Sequence, residues 1–285
     1  MRWAAVAAGL GVLLTVLATV VNWHYLQIEW QITAAVPLGW WYAGQVAGLL
    51  GGPLLFAALG LGLGRVPDQQ PAEGLLNRLT PGPLPSLLWY GGSVAAVLAL
   101  LWRYGAGYGI EPIRDLSELA RFLVLPPSGL SLAYGLAVFP LLARVIRGVP
   151  TPAVLGVGVA AAVLAAVAAT QAPALGTTAE LTRHLLFFLI GWRGGRAADA
   201  LAALTAPPVT RPLAQLGHAA LPIAALLAPV TALSGAVVVK RLSVLGGSAQ
   251  LVVAVAEPVL LTAAIVTAGL IGQRLLAVRP VPVPR

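Results

Sequence analysis

Charged residues are scarce in this chain of 285 residues, of which only 9% are Asp, Glu, Lys or Arg. A soluble domain carries about 25% charged residues, so the charges here are too few to cover a water-soluble surface. Cysteine is absent from the sequence, which excludes a disulfide framework, a thiolate metal ligand and a cysteine nucleophile. Hydrophobic residues make up 59% of the chain. The composition therefore predicts a protein embedded in lipid.

The sequence also lacks the short motifs of three enzyme classes. It contains no G-x-S-x-G elbow, no H-E-x-x-H zinc pair and no Walker A loop, so hydrolase, metalloprotease and nucleotide-driven functions lose their usual support. No metal and no tightly bound cofactor are expected. Basic residues are scattered at the ends of apolar runs rather than clustered, which argues against a nucleic-acid partner.

Long apolar runs are the main structural signal. A transmembrane helix needs about 20 predominantly apolar residues, and its backbone must be hydrogen-bonded internally. The runs predict an all-α, polytopic integral membrane bundle of eight helices that forms one domain over residues 1–285. The first run is interpreted as a retained helix, and the second is expected to kink or split at Gly51-Gly52-Pro53. The predicted spans are residues 4–22, 38–63, 84–103, 129–146, 153–171, 184–204, 213–238 and 249–273.

Two stretches are predicted to lie outside these spans. Residues 104–128 contain apolar side chains at helical spacing, with charged residues between them, and this pattern predicts a helix on the membrane surface. The residues that carry the pattern are Ile113, Leu116, Leu119, Ala120 and Leu123. The tail, residues 279–285, is proline-rich.

The distribution of lysine and arginine predicts the orientation. With eight spans both termini lie on one side, and that side holds eleven of the basic residues against six on the other. Cytoplasmic loops carry the excess of basic residues, so both termini are predicted to be cytoplasmic in a multi-pass protein of the cell membrane. Its cations would then face anionic lipid headgroups, and membrane lipids are expected partners.

The segment RHLLFFLIGWRGGR, residues 183–196, places cations at both ends of an apolar core. One interpretation is that all of them are interfacial anchors, and this one is favoured for Arg193 and Arg196. For Arg183 and His184, predicted at the external mouth of the sixth span, a second interpretation is open. They would then line a site where a hydrophobic substrate meets water.

Four segments occur in an order that resembles the membrane acyltransferase 3 family. They are PLLFAALGLGLGR (53–65), LLNRLTPGPLPSLLW (75–89), LSLAYGLAVFPLLARVIRGVP (130–150) and RHLLFFLIGWRGGR (183–196). The chain is similar to a shortened, degenerate member. It departs from the family's closely spaced arginine and histidine in the first helix, because here Arg2 and His24 are 22 residues apart.

The resemblance implies a membrane O-acyltransferase if the protein is an enzyme. Such a reaction needs a base, for which histidine is suited, and a cation to stabilise the oxyanion. The candidate catalytic residues are His24, His184 and Arg183, and the acyl donor is left open. The headgroup-boundary interpretation of each histidine stays open beside the catalytic one.

Further polar residues are candidates for substrate binding or an intramembrane role. Glu257 lies a third of the way into the eighth span, where an ionisable group is costly and is by default a functional hypothesis. His218 is its candidate partner, and Glu29 and Arg114 belong to the predicted external side.

Three functions are therefore predicted as alternatives. The first is acyl transfer to a glycan or lipid hydroxyl, in a crevice with a histidine and an arginine. The second is a transporter or flippase for an amphipathic substrate, favoured if Glu257, His218 and a broken second span meet in a central cavity. The third is a non-catalytic role in which other membrane subunits are the partners.

Overall fold

The computed structural model describes residues 2–28, 38–64, 83–104, 113, 115–172, 176–194, 210–236 and 244–277. The described part of the chain is helical and contains no strand. Its ten helices are α1 (Arg2–Ile28), α2 (Leu38–Gly64), α3 (Pro83–Tyr104), α4 (Leu116–Val124), α5 (Ser128–Val145), α6 (Thr151–Gln171), α7 (Gly176–Arg193), α8 (Thr210–His218), α9 (Ala220–Ser234) and α10 (Gly247–Ala277).

Five helices in the described ranges are long and apolar enough to cross a membrane: α1, α2, α3, α6 and α10. Two bent pairs raise the number to seven if each pair is one span. The axes of α4 and α5 differ by 68°, and those of α8 and α9 by 69°. The all-helical, multi-span character is thus confirmed, whereas the count of eight spans is not.

Helix α7 corrects the predicted sixth span. Residues 184–204 were expected to form it, but the helix begins two turns earlier, at Gly176, and ends at Arg193. Its first half carries Glu180 and Arg183, which makes it too polar to be counted as a span by composition. Yet α7 packs against α2, α5 and α6, so neighbouring helices cover its charged half.

Helix α2 is continuous from Leu38 to Gly64, with Pro53 inside it, so the predicted split at Gly51-Gly52-Pro53 is not seen. A proline removes one helical hydrogen bond and usually kinks a helix. Here the glycines beside it bring two other helices close. A side chain on Gly51 would strike the backbone of Thr15 in α1, and one on Gly52 would strike His184 in α7. Glycine at these positions therefore serves close packing.

The centre of the bundle is formed by α1, α2, α5, α7 and α9. Phe56, Leu130, Leu136, Phe188 and Ile223 are among its fully buried side chains. Helices α6 and α10 lie at the outside, where most of their surface remains exposed. This arrangement places α7 between the centre of the bundle and α6.

Candidate functional site

A cavity of about 690 Å³ lies between six helices, α1, α2, α5, α6, α7 and α9. Most of the residues that line it come from the second half of α1, the first half of α2 and the beginning of α7. The cavity thus occupies one half of the bundle. Its volume is in the range of small-molecule sites, about 300–1,000 Å³.

The charged part of the cavity wall comes from one face of α7. Glu180, Arg183 and His184 lie three and four residues apart, so their side chains project from the same side of the helix. All three line the cavity, together with Gly176 and Ala179 one turn earlier. Helix α7 therefore presents an acid, a cation and an imidazole along one stripe.

His184 lies at the inner end of this stripe and is only 2% exposed. Its imidazole packs on the ring of Phe56, with ring centroids 4.9 Å apart and planes inclined by 31°. Its Nε2 faces Gly52, where any larger residue would collide with it. Its Nδ1 is buried and has no hydrogen-bond partner in the part of the chain that the structure describes. A buried polar atom without a partner is costly and calls for a functional explanation.

Aromatic rings close the cavity beneath His184. Phe56 contacts Phe139, with centroids 5.1 Å apart, and Phe139 contacts Phe188 at 5.7 Å. All three phenylalanines are buried. The side of the imidazole that faces these rings is therefore apolar.

Arg183 and Glu180 lie nearer the mouth than His184. Arg183 donates from Nη2 to the carbonyl oxygen of Gly48 at 3.4 Å, and its Nε is buried without a partner within the described ranges. Glu180 accepts a hydrogen bond of 3.1 Å from the Ser131 hydroxyl of α5. The carboxylate and the guanidinium attract each other electrostatically. The site thus holds a cation with unused donor capacity next to an imidazole.

Hydroxyl and amide groups complete the polar lining. Thr15 and Thr231 donate their hydroxyl hydrogens to carbonyls of their own helices, Thr15 to Gly11 at 2.8 Å and Thr231 to Leu227 at 2.8 Å. Their oxygen atoms retain the capacity to accept a hydrogen bond. The other neutral polar side chains of the lining are Thr19, Asn22 and Gln45.

Arg183 and His184 were predicted at the external mouth of a span, and the structure places His184 beside Gly52, near the middle of α2. The physical reason is the early start of α7, which puts two turns of helix before the pair. Both residues point into the bundle rather than outward as anchors. Of the other candidates, the side chain of His24 lies outside the described residues, and so do Glu29 and Arg114.

Glu257 and His218 do not line the cavity. Glu257 accepts a hydrogen bond of 2.6 Å from Ser234 at the end of α9, whereas His218 ends α8, just before α9 begins. Sixteen residues of a largely helical segment separate Ser234 from His218, a distance of about 24 Å at 1.5 Å per residue. The predicted partnership of these two residues is therefore wrong, because α9 keeps them at its opposite ends.

Arg193 was predicted to be a membrane anchor, but it binds protein carbonyls. Its Nη2 donates to the backbone oxygens of Ile146, Arg147 and Val149, at 3.3, 2.8 and 3.0 Å. Its guanidinium also lies 4.0 Å from the ring centre of Trp192. Arg193 thus fixes the turn between α5 and α6 against the end of α7. Arg196 lies outside the described residues.

Sequence reasoning missed Glu180 and Gly52 as parts of the site. Glu180 could have been found, since it precedes Arg183 by three residues and shares its helix face. Gly52 carried no signal beyond its place in a glycine pair. Its role depends on the approach of α7, which is a tertiary contact.

No family model, no curated protein and no solved structure matches this chain. The resemblance to the acyltransferase 3 family therefore stays a hypothesis that depends on the four segments alone. Within the described ranges, no three His, Cys, Asp or Glu side chains lie together as metal ligands. The chemistry available in the cavity is that of an imidazole, a guanidinium, a carboxyl group and hydroxyls.

Proposed function

We propose that this chain is a multi-pass membrane protein that transfers an acyl group to a hydroxyl of a lipid or glycan, with His184 as the base. One observation carries the proposal. The His184 imidazole forms the inner end of a cavity between apolar helices, and Arg183 lies beside it with a guanidinium nitrogen that has no partner. A base next to a cation, in a cavity enclosed by apolar helices, is the arrangement that acyl transfer requires.

In the proposed reaction a neutral ring nitrogen of His184 accepts the proton of the acceptor hydroxyl. The hydroxyl oxygen attacks the carbonyl carbon of an acyl ester or thioester, and Arg183 donates to the oxyanion that develops. The bond from that carbon to the leaving oxygen or sulfur then breaks, and His184 returns the proton to the leaving group. The products are the new ester and the free alcohol or thiol of the donor.

The transporter alternative has less support. It would be favoured if Glu257, His218 and a broken second span met in one cavity, but neither residue lines the cavity and α2 is continuous. The non-catalytic alternative is favoured by the exposed apolar faces of α6 and α10, which lipid can cover as well as a partner subunit. Neither alternative explains a buried histidine at the end of a polar cavity.

We also propose that the protein lies in the cell membrane with both termini cytoplasmic. This orientation requires α7 to complete an eighth passage, in addition to the five long helices and the two bent pairs. A membrane crossing by α7 is supported by its contacts with α2, α5 and α6, which cover its charged half. The cavity would then open toward the external side, because it is lined by the end of α1 and the beginning of α7.

Mass spectrometry of lipids and glycans from expressing cells tests the acyl transfer. Cells that make the wild-type chain should contain species heavier by one acyl group, and these should disappear with His184→Gln. His218→Gln is the matched control, since His218 is outside the cavity, and it should retain them. Equal amounts of acylated species in wild type and His184→Gln, at equal expression, would contradict the proposal.

A further inference from the structure

Five of the six helices around the cavity form a ring, and α6 lies outside it. In the order α7, α2, α1, α9, α5, each helix packs on the next, and α5 packs back on α7, where Ser131 donates to Glu180. Helix α6 packs on α7 but lacks such packing on α5 over the described residues. A gap therefore remains between α5 and α6, beside the contact of α5 with α7.

The opening lies at the level of the cavity. Helices α5 and α6 are joined by the turn at residues 146–150, which Arg193 holds at the opposite end. The cavity is lined instead by the beginning of α5, at Gly129 and Leu130, and by the second half of α6, at Val163 and Ala166. We call the space between these two parts the α5–α6 wedge.

The α5–α6 wedge connects the cavity with the lipid-facing surface. Val163 lines the cavity although 56% of its surface is exposed, and Ala166 is likewise exposed. A side chain that lines a cavity and is also exposed lies at an opening. Because both residues are apolar and belong to a helix that composition assigns to the membrane, the opening faces hydrocarbon rather than water.

An amphipathic helix lies beside the wedge. Helix α4 leads into α5 through residues 125–127 and exposes Leu116, Leu123 and Val124. A short helix with exposed apolar and charged faces lies at the boundary between headgroups and acyl chains. The mouth of the wedge is thus at the depth where lipid chains begin.

We infer that the α5–α6 wedge is a lateral portal for a membrane lipid. Its acyl chain enters between Leu130 and Ala166, and phosphate or carbonyl oxygens of its headgroup accept hydrogen bonds from Arg183. The guanidinium suits both acceptors, since its Nε has no partner among the described residues. The inference depends on the proposed function only for the fate of the lipid, which there is the acyl acceptor or donor.

Photolabelling in proteoliposomes tests the portal without turnover. The probe is phosphatidylglycerol with a diazirine in one acyl chain, and labelled residues are mapped by mass spectrometry. Leu130 and Thr231 are buried and line the cavity, so a chain labels them only from inside. Leu260 on α10 is 66% exposed and reports ordinary surface lipid. We expect label at all three residues in the wild type, and label at Leu260 alone would overturn the portal.

A blocking substitution identifies the path of entry. Ala166→Trp fills the wedge, whereas Ala160→Trp places the same ring on an exposed position of α6 that does not line the cavity. Label at Leu130 should fall about tenfold with Ala166→Trp, because a bulky side chain in a filled space is strongly unfavourable for a second occupant. Label at Leu260 should stay constant in both variants and reports intact protein. Ala166→Leu, a smaller change, serves if the tryptophan variant misfolds, and undiminished label at Leu130 would overturn the wedge as the path.

Two further measurements distinguish the binding of the headgroup and the catalytic step from the entry of the lipid. A diacylglycerol with the same labelled chain lacks the phosphate. If Arg183→Gln lowers Leu130 labelling by the phospholipid alone, phosphate is the group bound, and if it lowers labelling by both lipids, a carbonyl is. No effect on either lipid would overturn the role of Arg183. His184→Gln should label like the wild type, so loss of acyl transfer with intact labelling leaves the portal standing whether or not the proposed reaction is correct.

Discussion

Gly52 and His184 form a contact on which the geometry of the site depends. The imidazole Nε2 lies against the backbone of α2 at Gly52, where that helix has no side chain to oppose it. Phe56, one turn later on α2, supports the other side of the ring. Among the described residues the histidine is therefore held by packing, with Nδ1 available to bind a ligand. A base positioned in this way keeps its orientation without losing a nitrogen to a structural hydrogen bond.

Replacing Gly52 by alanine should disturb the site and destabilise the protein. In the interior of a helix, alanine is favoured over glycine by roughly 0.5–1 kcal/mol. At Gly52 the added methyl group collides with the imidazole, and overpacking of this kind costs about 1–3 kcal/mol. We therefore expect a net fall in thermal stability in detergent, together with loss of acyl transfer.

The matched control is Gly48→Ala, one turn earlier on α2. A Cβ there would lie 3.6 Å from the Cβ of Ala18, which is an ordinary contact. This variant should unfold at the same temperature as the wild type or slightly above it. If Gly52→Ala is as stable and as active as Gly48→Ala, the close packing of His184 on α2 is not part of the working structure.

At the scale of helices, composition predicted the apolar elements well and the polar ones poorly. The first three predicted spans agree with α1, α2 and α3 to within a few residues, since uninterrupted apolar runs must be helical in lipid. The predicted sixth span missed the beginning of α7, because Glu180 and Arg183 become acceptable only when other helices cover them. The cavity could not be predicted for the same reason. It depends on which helices fail to touch, and a sequence pattern does not encode that.

Helix α4 was predicted from the spacing of its apolar residues. The stability of its first turn should depend on pH, because Asp115 caps it. Asp115 accepts from the Ser117 hydroxyl at 2.7 Å and from the Glu118 backbone N–H at 2.8 Å. These bonds, the first more than the second, lower the pKa of Asp115 below its ordinary value. A carboxyl group whose pKa is lower in the folded than in the unfolded state stabilises the helix at pH values above the unfolded-state pKa, which is about 3.9 for Asp. This stabilisation is lost as the pH falls through the folded-state pKa.

We therefore expect hydrogen exchange in α4 to become faster below about pH 4, relative to intrinsic exchange rates. Asp115→Asn should keep the cap and abolish this pH dependence, because asparagine is also a good N-cap. Asp115→Ala should lose protection at every pH. Equal protection of α4 in the alanine variant and the wild type at neutral pH would show that the cap does not support the helix.

At the scale of the whole molecule, the described contacts fix which ends of the helices lie together. Thr15 of α1 lies at Gly51 of α2, and Val21 lies at Gly44, so these helices are antiparallel. Helix α7 runs parallel to α2, with His184 at Gly52 and Trp192 at Gly64. The cavity half of the bundle therefore contains the end of α1 and the beginnings of α2 and α7. The proposed orientation, with both termini cytoplasmic, would place this half at the external side.

Cysteine labelling tests that assignment, and a chain without native cysteine gives no background. An impermeant maleimide should react from outside with Ile110→Cys, in the loop after α3, but with Gln70→Cys only after permeabilisation. Gln45→Cys reports the side from which the cavity is reached, since Gln45 is exposed and lines the cavity. It should react from the same side as position 110, because the end of α1 and the beginning of α2 share that side. Labelling of position 70 in intact cells would invert the orientation. Labelling of position 45 only after permeabilisation, as expected for position 70, would place the mouth of the cavity, and with it the acyl acceptor, on the cytoplasmic side.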